Sequence, residues 1–402
     1  MHSTPNVILV VGDHHRADIL GYSGCRLAHT PNLDGLCQSG AAFSRAVTVF
    51  PEAGVALQTL LAGVHAHLLP VGPASGLAQS ALGGALVERG YRLAQFGSVD
   101  ALSLADVLGP ALSFLDQPVG RPFLAVIRLP AISASLEIPD WCFAPHRGNG
   151  TPLAAYFAAV TAYDDAVGQI VRASGSRADS DDTLIVYTSL SGEHFKYRDS
   201  VGHANTCHNE SIRVPLIFSW PAHIAAGRNL DALVGLHDVA PTIAEVTAAR
   251  LPITQGRSLW PLLNGGRVGD WRRRIYVQNQ HQRHIRPLED PQSATFRLYP
   301  AWRQRAVWNG RYKLVLSADQ GIASFFDHAI DPEEEFDLYD VPRPSSHRLY
   351  DHFHDRRRQI VRLANDLGME AAALGDDLGV EIAAAAVSDP AFGRLGAGEP
   401  LG

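Results

Sequence analysis

The chain has 402 residues, 46% hydrophobic and 19% charged, with a formal net charge of -7. That length allows one large and one small domain around a sizeable core, and the negative charge argues against non-specific nucleic-acid binding. The four scattered cysteines, Cys25, Cys37, Cys142 and Cys207, show no metal-type pairing. No apolar run approaches membrane-spanning length, and no secretory-type segment opens the sequence, so a cytoplasmic protein without membrane or nucleic-acid partners is expected. Lys196 and Lys313 are the only lysines, so a catalytic lysine has few places to be.

The chain is organised around the stretch 5–16, PNVILVVGDHHR. Its run 6–11 lacks alternation, which reads as a strand buried on both faces in a parallel sheet. Gly12 ends it, and Asp13, His14, His15 and Arg16 follow at its carboxyl end, where ligands bind in open α/β sheets. A polar turn with Asp13 as a helix N-cap is the plainer reading of the same residues. Helical segments are expected at 33–40, 52–61, 81–89, 153–173 and 238–248. Strands are expected at 41–49, 91–96, 123–129, 183–189 and 214–219. Alternating strands and helices to about residue 265 give a doubly wound α/β domain.

After Arg272-Arg273-Arg274, which reads as a solvated junction, the pattern changes. Short strands at 275–278, 305–308 and 312–316 follow, with Asn309-Gly310 as a hairpin signal between two of them. A charged amphipathic helix at 354–367 completes a smaller α+β domain. The expected division is therefore 1–270, 271–367 and an Ala/Gly-rich tail, 368–402, of helical fragments and then a disordered or partner-bound end. The acidic run 331–335 reads as an exposed turn.

PNVILVVGDHHRADILGYSG, HTPNLDGLCQSGAAFSRA, TLLAGVHAH, GYRLAQFG, YDDAVGQI, TLIVYTS-x-x-GEH and ESIRVPLIFSWP together resemble the type I sulfatases of the alkaline phosphatase superfamily. LHDVAPTIAEV, GRSLWPLL, WNGRYKLV and DPEEEFDLYD extend the resemblance, in order, to about residue 365. It implies an α/β fold: a large mixed sheet sandwiched by helices, with a smaller C-terminal α+β domain. It also implies a formylglycine made from Cys or Ser in a C/S-x-P-x-R motif. A calcium-like cation would be held by paired aspartates after the first strand and an Asp-Asn/His pair after a later one.

Carried over by position, most of that chemistry is missing. The nucleophile position falls on Ala53 and the motif arginine on Leu57. Of the paired aspartates Asp13 remains and the second is His14, while the later pair is Leu190-Ser191. The Lys-x-His after the GYR strand is Ser98-Val99-Asp100, the lysine before SIRVP is Ala204, and the histidine after the 123–129 strand aligns loosely with Ile132. A hard dication takes several oxygen ligands, more than one of them anionic, so no metal and no other cofactor is expected. Asp164 and Asp165 match a structural position in the family's helix.

The replacements still suit chemistry. Asp13, His14, Asp100, Glu193 and His194 are the expected catalytic groups, because carboxylates beside histidines push each other's pKa values apart. Arg16, Ser191, His203 and Glu52 are the expected substrate contacts, Arg16 for an anionic group. The leading expectation is a formylglycine- and calcium-independent acid/base step on a small molecule, by elimination, displacement or transfer of a sulfate or phosphate ester. A pseudosulfatase that binds a ligand or a protein partner, a second copy included, is the alternative. A third is a hydrolase in which Asp13, His14 and His203 or His208 hold a transition ion, zinc above all. His194, His203 and His208 equally fit a surface loop.

Overall fold

The run 6–11 forms the centre of the large sheet. The computed structural model describes residues 4–70, 76–98, 101, 103–117, 120–133, 135–146, 151–194, 206–266, 268–280, 303–317, 321–338 and 347–388. The chain divides into two compact units. The first comprises Met1–Thr48, Glu52–Glu193 and Arg213–Trp271, and the second Val49–Pro51, His194–Ile212 and Arg272–Gly402.

In chain order the elements are β1 (Asn6–Gly12), α1 (Pro31–Ser39), β2 (Ala41–Val47), α2 (Ala53–Ala62), α3 (Ala81–Glu88), β3 (Arg92–Phe96), α4 (Leu104–Leu115), β4 (Phe123–Arg128), α5 (Thr151–Gly175) and β5 (Thr183–Ser189). They continue with α6 (Asn209–Ile212), β6 (Leu216–Ser219), β7 (Arg228–Gly235), α7 (Val239–Val246), α8 (Trp260–Leu263), β8 (Ile275–Gln280), β9 (Arg303–Trp308), β10 (Tyr312–Ser317), β11 (Gly321–Asp327), α9 (His347–Leu374) and α10 (Asp377–Ser388). Among the described residues, no helix is long and apolar enough to cross a membrane.

The first unit holds a mixed sheet in the order β3-β4-β1-β5-β6-β2-β7. β1 lies between parallel neighbours, pairing Leu9 with Val126 of β4 and Leu9 with Val186 of β5. All seven residues of β1 are buried. Each Val, Leu or Ile so buried contributes about 1.5–3 kcal/mol, which fixes the strand at the centre. The register places Gly12 opposite Ser189, and Leu190 N donates to Gly12 O at 2.9 Å. The chains after β1 and β5 therefore leave the sheet side by side. Gly12 is required there, because a Cβ would lie 2.7 Å from Cε2 of Tyr163 on α5.

The second unit carries an antiparallel sheet in the order β11-β10-β9-β8. Asn309-Gly310 turns β9 into β10, with Gly310 at φ 91° and Asn309 N bonded to Tyr312 O at 3.1 Å. Three expectations change here. Residues 368–388 are not tail: α9 runs on to Leu374 and α10 follows, packing Ile382, Ala383 and Ala386 with Leu363, Leu367 and Phe325. Asp376 holds the start of α10, accepting from Gly379 N at 3.3 Å while Arg305 Nε, Tyr276 OH and Gln278 Nε2 donate to its carboxylate. Arg274 is not simply solvated, since it pairs with Asp366 at 2.8 Å and Glu370 at 2.6 Å on α9. The run 331–335 is not an exposed turn throughout, because Glu334 is buried among Lys313, His208 and His328. Residues 389–402 lie outside the described residues.

Candidate functional site

Four expected site residues meet where β1 and β5 end. Ser191 Oγ donates to Asp13 Oδ1 at 2.8 Å and lies 3.2 Å from His14 Nδ1. His14 Nδ1 also lies 3.3 Å from Gly192 O and 3.8 Å from Glu193 Oε2. His14 Nε2 stands 3.9 Å from Asp13 Oδ1. The side chains of Asp13 and His14 are 5% and 11% exposed, that of Glu193 11%. The His14 backbone adopts φ 64°, a conformation uncommon outside glycine and one that clusters at functional sites. His14 N bonds Asp13 Oδ1 at 3.1 Å, which holds this sharp turn.

A buried layer of tyrosines supports the turn. Tyr163 OH lies 3.3 Å from both Asp13 N and Asp13 O, accepting from the first and within donating reach of the second, and donates to Pro130 O. Tyr156 OH donates to His14 O at 2.8 Å and accepts from Arg16 N at 3.1 Å. These residues stand seven apart on α5, two helical turns, and so share one face. Burial pushes both phenols up, which keeps them protonated donors. His15 turns inward: its Nε2 lies 3.0 Å from Ile19 O and its Nδ1 2.6 Å from Tyr187 OH. A carbonyl only accepts, so Nε2 carries the proton and Nδ1 accepts from Tyr187. Sequence reasoning does not single out these tyrosines. The seven-residue spacing of Tyr156 and Tyr163 within an apolar helix is the signal that could have found them.

Other expected residues have different duties. Arg16 forks onto Asp18, Nε to Oδ1 at 2.9 Å and Nη2 to Oδ2 at 2.7 Å, so its charge is matched locally. Glu52 is the N-cap of α2, accepting from Gly54 N at 3.1 Å. Its carboxylate thus serves the helix terminus and not the Asp13 cluster. His194 is grouped with the second unit, where Nε2 meets Ser211 Oγ at 2.5 Å and Thr206 Oγ1 at 3.1 Å, and Nδ1 faces Glu210 Oε2 at 3.3 Å. His208 Nδ1 lies 3.1 Å from Glu334 Oε2 in that unit. His194 and His208 are therefore buried in the second unit and not on a surface loop. Asp100 and His203 lie outside the described residues.

The groups implied by the sulfatase resemblance can be tested against these positions. Ala53 opens α2 and, with Leu57, packs against the apolar core of the first unit. A methyl there supplies no nucleophile, and an isobutyl group packed on the core no anion contact. Around Asp13 the set is one carboxylate, one imidazole and one serine hydroxyl that already donates to that carboxylate. This does not fit a calcium-like ion, which takes six to eight oxygen ligands. Among the described residues, no group of three or more His, Cys, Asp or Glu side chains is placed to hold a metal ion.

Comparison with known proteins agrees with the architecture. The sulfatase family model matches residues 5–105 and 101–249, and the model of the N-sulphoglucosamine sulphohydrolase C-terminal region matches 203–361. Human steryl-sulfatase is 32% identical over 170 residues, which covers 39% of this chain and 28% of that protein. An ulvan-active sulfatase of Formosa agariphila is 22% identical over 415 residues, covering 84% of this chain and 78% of that one. The match to the human and mouse steryl-sulfatases and to canine arylsulfatase H spans less than a third of their length. A solved structure described as in complex with its substrate D-glucosamine-2-N,6-O-disulfate superposes with a TM-score of 0.72 at 17% identity, covering 93% of this chain and 99% of that chain. At that identity it speaks for the fold.

Proposed function

Since the chain belongs to the sulfatase family, we propose that it acts on a small-molecule sulfate ester by an acid/base step at Asp13, His14, Ser191 and Glu193, without a formylglycine. The observation that carries this reading is Ser191 Oγ, held between Asp13 Oδ1 at 2.8 Å and His14 Nδ1 at 3.2 Å. Ser191 donates to Asp13 and accepts from His14 Nδ1–H, which also faces Gly192 O, so Nε2 is the ring nitrogen placed to take a proton. The family relationship supports the sulfate ester as substrate class.

Elimination is the member of this class that these groups can balance alone. Asp13 takes a proton from the carbon beside the ester-bearing carbon. The freed electron pair forms a carbon–carbon double bond, and the C–O bond pair departs with sulfate. Sulfate is a weak base and leaves without protonation, so neither a nucleophile nor a cation is required. His14 Nε2, 3.9 Å from Asp13 Oδ1, accepts the proton in turn.

The test is release of free sulfate from a panel of sugar and other alkyl sulfate esters, with ultraviolet absorbance reporting a new double bond. Sulfate should appear in the presence of a chelator. Asp13→Asn should slow it by on the order of 10²–10⁴, with a melting temperature close to wild type. Full activity in Asp13→Asn, or no release from any ester, would overturn the reading. A large loss of stability would make Asp13 a structural cap.

A further inference from the structure

The first unit contains a cavity of about 370 Å³, within the range of about 300–1,000 Å³ typical of small-ligand sites, and none of its lining residues belongs to the Asp13 cluster. Its wall combines Tyr22, Phe43 and Leu216 with Asp18, Arg213 and Asn229. The charges decide its chemistry. Asp18 is clamped by Arg16, and although burial works to raise its pKa, the Arg16 hydrogen bond and charge, with a smaller contribution from the Arg213 charge, hold it below the usual carboxylate range. That pair is neutral as a whole. Arg213 is a second cation, and among the described residues no carboxylate forms an ion pair with it.

The Arg213 side chain is held in place before any ligand arrives. Its carbonyl accepts from Ala17 N at 3.2 Å, its backbone bridges Val47, and Nη2 donates to Ser44 O at 2.9 Å. Nε is buried and has no hydrogen-bond partner. A guanidinium held in this way on a cavity wall is a preorganised cation. Guanidinium groups favour planar oxyanions. Apolar Phe43 and Leu216, with the Tyr22 ring, suit the body of such a molecule.

We infer that this cavity binds a small organic monoanion, a carboxylate head against Arg213 with a ring-sized apolar body against Tyr22, Phe43 and Leu216. It is a second ligand site, independent of the acid/base step proposed for Asp13. A monoanion matches the net single positive charge of Arg213 with the Arg16–Asp18 pair. The body must be small, because the volume admits one ring and a short substituent.

Benzoate and its neutral analogue benzamide provide the test, by calorimetry and ligand-observed NMR on the full chain. Benzoate should bind saturably and at least tenfold tighter than benzamide. Arg213→Gln should weaken benzoate at least tenfold, and Asn229→Trp, a bulky change at an exposed lining position, should do the same if Arg213→Gln does not fold. Asp13→Asn should leave benzoate binding unchanged, which separates this site from the Asp13 cluster. No saturable binding, equal binding of benzamide, survival of binding in the folded variants, or its loss in Asp13→Asn would each overturn the inference.

Discussion

Burial holds the His15 imidazole neutral. Desolvation, opposed only in part by the Ile19 carbonyl and the Asp18 charge, pushes its pKa from 6.5 down to about 4. Between those values the unfolded chain binds the proton and the folded chain does not. Stability is therefore full above pH 6.5 and falls as the pH drops through 6.5 toward 4, by about 3 kcal/mol for this group. Urea unfolding at pH 7, 5.5 and 4.5 should show His15→Gln less stable than wild type at pH 7 but losing less on acidification. Equal losses would place the acid sensitivity elsewhere; Asp18, whose pKa is lowered from 3.8, loses its contribution only at lower pH than this series reaches. At this scale Asp13, His14, Ser191 and Glu193 are legible in the sequence because strand ends in an open α/β sheet sit side by side. Arg16 and Glu52 mislead for local reasons: one meets a carboxylate two residues on, the other caps the helix it precedes. A sequence read for pockets does not reveal which polar residue its own backbone claims.

Helix α1 shows how an element is fixed from a distance. Its Thr30 N-cap makes no side-chain capping bond, and Pro31 supplies no N–H. Asp164 of α5 takes that role instead, accepting from Leu33 N at 2.7 Å and from Asn32 N and Nδ2 at 3.1 and 2.7 Å. Burial raises the Asp164 pKa, while these bonds oppose that rise. Asp164→Ala should cost about 2–4 kcal/mol, the loss of charge-assisted bonds to buried amides. Asp164→Asn should cost less, because its carbonyl still accepts. Thermal unfolding of both variants checks this, and stability equal to wild type would show that Asp164 does not tether α1. Elements with an unbroken apolar run, β1 and β5, or with helical periodicity, α5, are legible. Helix α4 escapes a sequence reading because Gly109-Pro110 interrupts it, although Leu104, Val107, Leu108, Ala111 and Phe114 share its buried face. Strand β7 escapes it because its first half is an exposed sheet edge.

At the scale of the whole molecule the first unit ends at Trp271, and the sequence pattern changes near residue 270. The sequence does not disclose that the second unit also takes in Val49–Pro51 and His194–Ile212. The reason is a buried charge. Glu334 Oε1 meets Lys313 and His328, the latter at 2.7 Å, and Oε2 accepts from Asn209 N at 3.0 Å and lies 3.1 Å from His208 Nδ1. Lys313 Nζ in turn donates to Asn209 Oδ1 at 3.1 Å, and Gln278 N to Val49 O at 2.9 Å. Partners so far apart in sequence leave no local signal, and an acidic run reads by default as solvated. A fragment starting at residue 272 keeps Lys313 and His328 but loses Asn209 and His208, which hold Glu334 Oε2. Breaking a buried, hydrogen-bonded charge network costs roughly 3–5 kcal/mol, a large share of the about 5–15 kcal/mol that stabilises a whole domain. Residues 272–402 expressed alone should therefore show no amide dispersion by NMR and little native circular dichroism. The same fragment with 194–212 joined by a flexible linker should recover both, because it regains Asn209 and His208. A well-dispersed spectrum from 272–402 alone would show that the Glu334 network does not tie that segment to the folded state.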